Sequence, residues 1–154
     1  MIGSDIVQFI VTGLNDRAVE VVRNLLTDRT PASGREARPS LKQGNIYVMM
    51  SFLQKAVRLG EIDLAEDACT WMVNRGHGAA GWKRLRTIAV EDVGLGDIGV
   101  MALVLWLAGR PDLHAEIGSL KLASLASALM CQAVKSRDMV DIAYWAKACE
   151  CSIT

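Results

Sequence analysis

From Asn45 to Val134 the apolar residues recur three and four positions apart, and glycines or short polar turns cut the pattern at brief intervals. Such spacing puts the apolar side chains on one face of a helix, and short interruptions bring each helix back against its neighbour. No stretch alternates convincingly as a strand does. Apolar residues make up 51% of the 154-residue chain while aromatics make up 5%, and a mixture weighted to Ala, Leu, Val, Ile and Met suits helices packed on helices. A chain of this size buries about 70% of its unfolded surface, enough for a core without metal or disulfide staples. The expectation is an all-α, single compact domain of six to eight helices in stacked antiparallel hairpins.

The boundaries follow from local punctuation. Ser4 and Asp5 predict an N-cap, and Gly13 and Asn15 predict a break before a second piece carrying Val19, Val22, Leu25 and Leu26. The segment 27–44 holds Pro31, Gly34, Pro39 and Gly44 among Arg29, Arg35, Arg38 and Lys42, and reads as a basic loop. Residues 1–44 are therefore set apart as a helical extension and loop, and residues 45–154 as the helical domain. In the latter, Asn45 to Leu59 forms a helix stopped by Gly60. Asp63 and Glu66 suggest a capping box opening a helix to Arg75, and Gly94 ends a helix from Ala79 to Val93. Asp97 caps a helix to Ala108, Ser119 opens one to Val134, and Ser136 caps a last one from Arg137 to Cys149.

Seventeen basic residues balance seventeen acidic ones, so any electrostatic recognition has to come from local patches, and self-association is expected. Cys69, Cys131, Cys149 and Cys151 have no zinc-site spacing, and His77 and His114 lie far from the last pair. With no secretory leader pattern and no apolar run near the ~20 residues a bilayer requires, a cytoplasmic location with free thiols is expected. No metal or cofactor is expected, and Cys69 with His77 matches no nucleophilic arrangement, so no enzyme is expected either.

One segment carries more information than the rest: Lys83-Arg84-Leu85-Arg86-Thr87-Ile88-Ala89-Val90-Glu91-Asp92-Val93-Gly94-Leu95-Gly96-Asp97. Glu91 and Asp92 fall in the last turn of a helix, where the macrodipole opposes negative charge. Thr87, Ile88 and Ala89 sit three and four positions earlier, so no base on the same helix offsets them. Both acids therefore call for tertiary partners, either the amides near Asp97 or a cation, for which Arg58 is the candidate.

This segment resembles the R-x-x-x-I-A-S-E-D-x-G-x-A-D-P signature of the RarA/MgsA family, replication-associated recombination ATPases related to clamp loaders. Ser51, Leu53, Lys55, Arg58 and Asp63 resemble that family's S-x-L-x-K-x-x-R-x-S-x-x-D-A helix and turn. Ala133, Lys135 and Ser136 resemble its A-x-x-P-K-S corner, and residues 146–148 the F-K-A-A that follows. The likeness spans residues 45–148 and implies the family's C-terminal helical domain, which assembles subunits. It assigns structural roles to Lys55, Arg58, Asp63, Arg84, Glu91, Asp92, Gly94, Asp97, Lys135 and Ser136. The chain departs at Val90, Ile98, Arg86 and the turn Gly76-His77-Gly78, and no G-x-x-x-x-G-K-[ST] loop occurs anywhere in it. The resemblance therefore implies a helical domain without its motor.

Arg75, His77, Trp82, Lys83, Arg84 and Arg86 cluster around that turn and, with Arg35 and Arg38 of the loop, are candidates for contact with DNA or a partner protein. Trp82 is the tryptophan expected at an interface, with Trp71, Trp106 and Trp145 in the core. Met49, Met50 and Met130 read as core filler. The expected function is a non-catalytic oligomerisation and interaction module of DNA replication, recombination or repair. Its partners would be itself and a AAA+ ATPase or clamp-loader-type complex, and it could be a phage-encoded stand-in for, or inhibitor of, a host factor. A DNA-binding accessory protein is the alternative.

Overall fold

The computed structural model describes residues 2–27, 44–138 and 140–142. The chain divides into two compact units, Met1–Pro31 and Ala32–Thr154. Every regular element among the described residues is helical, and no strand occurs there.

The first unit contains α1, Ile2–Thr27, a continuous helix of 26 residues. The expected break at Gly13 and Asn15 is absent. A single interior glycine costs a helix only about 1 kcal/mol, too little to break one of this length. The basic loop, with Arg35 and Arg38, the last expected helix beyond residue 142, with Trp145 and Cys149, and Cys151 after it lie outside the described residues.

The second unit runs through α2 (Ile46–Leu59), α3 (Ile62–Asn74), α4 (Gly78–Ile88), α5 (Ile98–Ala108), a short α6 (Pro111–Leu113) and α7 (Ser119–Gln132). Asn45 caps α2 by accepting from the Val48 amide at 3.0 Å, and Gly60 ends it. The capping box does not form. The helix α3 begins one residue before Asp63, after Glu61, and that cap position makes no side-chain bond. Asp63 therefore sits inside the first turn, where its charge suits the dipole.

Helix α3 is the centre of the fold, contacting α2, α4 and α7. Its residues Ala65 to Met72 are all buried, so it is enclosed on every side and not merely on one stripe. Around it lie Met49, Leu53 and Val57 of α2, Leu85 and Ile88 of α4, and Leu122, Leu125 and Met130 of α7, all nearly without exposure. Helix α5 behaves oppositely. Its sequence IGVMALVLWLA has no charged residue, yet only Val104 and Leu107 are buried. A helix apolar all round normally lies inside a protein; this one keeps Ile98 58% and Leu105 36% exposed.

Among the described residues two stretches are π-helical, and a 3-10 turn, Gly94–Gly96, follows the first of them. Helix α4 passes directly into a π-helical stretch, Ala89–Val93, and α6 passes into another, His114–Gly118, which leads into α7. Among the described residues no helix is long and apolar enough to cross a membrane.

Candidate functional site

The signature segment is a junction. The π turn brings the Asp92 carboxylate inward, where it is 2% exposed. Gln54 Nε2 donates to its Oδ2 at 2.7 Å, and Arg58 Nε donates to Oδ1 at 2.5 Å. Arg84, one helix away, donates to Gln54 Oε1 at 2.6 Å and more weakly to the Met50 carbonyl at 3.4 Å. Gln54 is thereby oriented: its oxygen faces a guanidinium and its amide nitrogen faces the carboxylate. A buried carboxylate is tolerable only when paired and hydrogen-bonded, and both conditions are met.

The same segment holds the corner after α7. The Ser136 amide donates to the Asp92 carbonyl at 3.0 Å. Lys135 Nζ donates to the carbonyls of Cys131 at 3.0 Å and Ala133 at 2.6 Å, closing the C-terminus of α7. Partial burial pushes the Lys135 ammonium below the usual lysine value, against the raising pull of Cys131 and Asp92. Gly94 adopts φ 47 and ψ −128, a conformation that glycine tolerates and side chains resist. Gly96 passes so close to the corner that a Cβ there would lie 2.6 Å from the Val134 carbonyl oxygen. Asp97 then caps α5, accepting from the Val100 amide at 3.0 Å. The residues Arg58, Arg84, Asp92, Gly94, Asp97, Lys135 and Ser136 thus meet at one junction from three parts of the sequence. Lys55 and Asp63 are exposed.

Glu91 does not share this fate. Half-exposed, it finds none of the expected amides or cations among the described residues, and lines an open groove instead. The groove, about 970 Å³, runs between α4 and α5. Val73, Val90, Leu105 and Ala108 give it apolar walls, and Lys83 and Arg86 stand on the α4 side. His114 closes one end, so both π turns border the same groove. Local π turns are rare and recur at functional sites because they re-aim side chains that an α-helix would place elsewhere.

The basic cluster expected as one patch is divided three ways. Arg84 turns inward to the junction. Arg75 lies over the Trp71 ring, 4.9 Å from its centroid, with His77 stacked against the same ring at 6.0 Å. Lys83 and Arg86 alone face the groove. Trp82, expected at an interface, is 7% exposed. Its Nε1 donates to Ser119 Oγ at 2.9 Å, and its ring meets the His114 imidazole at 4.6 Å. His114 Nε2 is 2.9 Å from the Leu107 carbonyl, which only accepts, so that nitrogen carries the proton. Trp82 is a supporting side chain under the groove, because the local bond to Ser119 lets its indole be buried.

Cys69 and His77 do not form a nucleophilic pair. Cys69 is buried, and burial pushes its thiol up to about 12, so no thiolate is available. His77 is exposed and stacked on Trp71 instead. Among the described residues no three His, Cys, Asp or Glu side chains gather closely enough for a metal.

The groove was hidden from sequence reasoning. Its only signal was α5, whose charge-free composition exceeds what a helix needs for one buried face. No protein-family model matches the chain, and no curated protein matches it.

Proposed function

We propose that the chain is a non-catalytic interaction and oligomerisation module of the DNA replication, recombination or repair machinery, related to the RarA/MgsA helical domain. What carries the reading is the convergence at Asp92. Segments that resemble the family's separate motifs form one hydrogen-bonded junction, joining α2, α4 and the corner after α7. A junction fully engaged in internal bonds is a scaffold, which leaves recognition to the outer surface. That surface includes an apolar α5 and a groove of the kind that buries a partner with a polar rim. A chain so built would stand in for the helical domain of a RarA-like ATPase or compete with it.

Affinity capture with the tagged chain, read by mass spectrometry, tests this. Enrichment of a clamp-loader-type ATPase or its associated factors is expected, together with self-association in sedimentation. A strict monomer that retrieves no replication, recombination or repair protein contradicts it.

One observation favours DNA binding as a second reading: Lys83 and Arg86 face outward without an ion-pair partner among the described residues. A phosphate-driven binder loses affinity steeply with salt, and replacing these two residues would flatten that slope by about two units. Absence of duplex binding at low salt ends this reading.

A further inference from the structure

We infer that the groove between α4 and α5 is a docking site for an amphipathic helix of a partner protein. That helix carries acidic residues opposite Lys83 and Arg86 and a basic residue opposite Glu91. The inference rests on the interaction-module reading and adds to it a surface and a partner chemistry.

Three independent features meet there. The walls are apolar, and Leu105 and Ala108 belong to a helix more apolar than its own burial requires. Two π turns, rare elements at functional sites, border it through Val90 and Glu91 on one side and His114 on the other. Its charges are unspent: Lys83, Arg86 and Glu91 line the groove and none has an ion-pair partner among the described residues.

The order of those charges defines the occupant. Lys83 and Arg86 are three residues apart, so they lie on neighbouring turns of one face. Glu91 follows at the far end of the same helical run, about 12 Å from Lys83 along the axis at the usual helical rise. Its carboxylate stands where the helix dipole is unfavourable, so a partner's cation there relieves a local cost. A helix seated in the groove therefore presents two acids one turn apart and a base about two turns beyond the first. Apolar residues at i, i+3, i+4 and i+7 face Val73, Val90 and Leu105. DNA, uniformly negative and without an apolar face, fits neither Glu91 nor the walls.

Two synthetic peptides with one leucine face test this against the whole chain. The first carries two glutamates and a lysine in the stated order; the second has every sign inverted. The first is expected to bind about tenfold more tightly at low salt, since exposed charge pairs contribute modestly and reversal adds repulsion. Amide and Trp82 indole NMR shifts should map it to the groove. Lys83→Glu with Arg86→Glu should reverse the preference. Ala79→Glu places a carboxylate one turn before Lys83 on an exposed groove position, and should weaken the first peptide with the fold intact.

Equal binding of both peptides, shifts elsewhere, or no binding at millimolar peptide overturns the inference. So does a duplex DNA that displaces the first peptide, or a dimer of the chain that the Lys83→Glu/Arg86→Glu variant dissolves. Capture of replication proteins by that variant at wild-type levels sinks the groove and spares the module. Peptide binding by a chain that captures none does the reverse.

Discussion

Arg84 and Arg86 are two positions apart on one helix and do opposite things. Arg84 reaches inward and fixes Gln54 against Asp92, while Arg86 stands on the wall of an open groove. The acidic pair divides in the same way. Asp92 is sealed beneath Gln54 and Arg58, and Glu91, its neighbour, lines the groove. A short run of charged residues is therefore two runs interleaved, one satisfied by the fold and one lining an open groove. For the arginines the cause is helical phase, since a step of two residues turns a side chain more than halfway around the axis; the acids are adjacent and lie within the π turn.

The sealed side breaks most easily at Asp92. Asp92→Ala strands the Gln54 amide and removes the counter-charge of Arg58, and a loss of about 3 kcal/mol is expected in urea unfolding, at the low end for a broken buried pair because Arg58 can turn to water. A loss within about 0.5 kcal/mol, typical of surface changes, would place Asp92 with Glu91 and dissolve the contrast.

Gly96→Ala is next. Its Cβ would meet backbone at the Val134 carbonyl and has no flexible side chain to displace, so about 2 kcal/mol of overpacking strain is expected in the same measurement.

The core beneath both regions gives a pH test. With the Cys69 thiol held up to about 12 by burial, its proton is retained in the folded chain while the unfolded chain loses it near 9. The folded form's raised value means the stability is intact below pH 9 and declines above it, by up to about 1.4 kcal/mol per pH unit. Urea unfolding between about pH 8.5 and about pH 10.5 should show a steeper fall in the wild type than in Cys69→Ala. Parallel profiles would mean the thiol is not buried as described.

The groove side is softer. Trp82→Phe keeps an aromatic ring under the groove but removes the bond to Ser119 and part of the buried indole, for about 1.5 kcal/mol. A much larger loss would make Trp82 part of the sealed core and not a support of the open face.

How much of this was legible in the chain depends on whether the cause was local. Asn45, Gly60 and Asp97 act on their own helix ends, and their roles follow from residue type and position. The need of Asp92 for a cation was readable from the dipole and the absence of a base one turn back, and Arg58 supplies it. The role of Gln54 was not, since a glutamine at an interior helical position carries no signal until its partners are known. Asp63 and Glu66 satisfied the spacing of a capping box, but α3 starts earlier and buries Glu66, because packing between α2 and α7 decides where that helix lies. Trp82 misled for a related reason: adjacency to Lys83 suggested a surface, whereas the helix turns its ring toward Ser119 and His114. The groove needed α4, α5 and both π turns in place, and none of its geometry is local to a segment.

The most direct test of the two-sided helix sets Arg84→Met beside Arg86→Met in urea unfolding. Arg84→Met should cost about 2 kcal/mol, the worth of a charged hydrogen bond that orients a buried glutamine. Arg86→Met should stay within about 0.5 kcal/mol of wild type. Equal losses, or the larger loss at Arg86, would contradict the assignment of one arginine to the fold and the other to recognition.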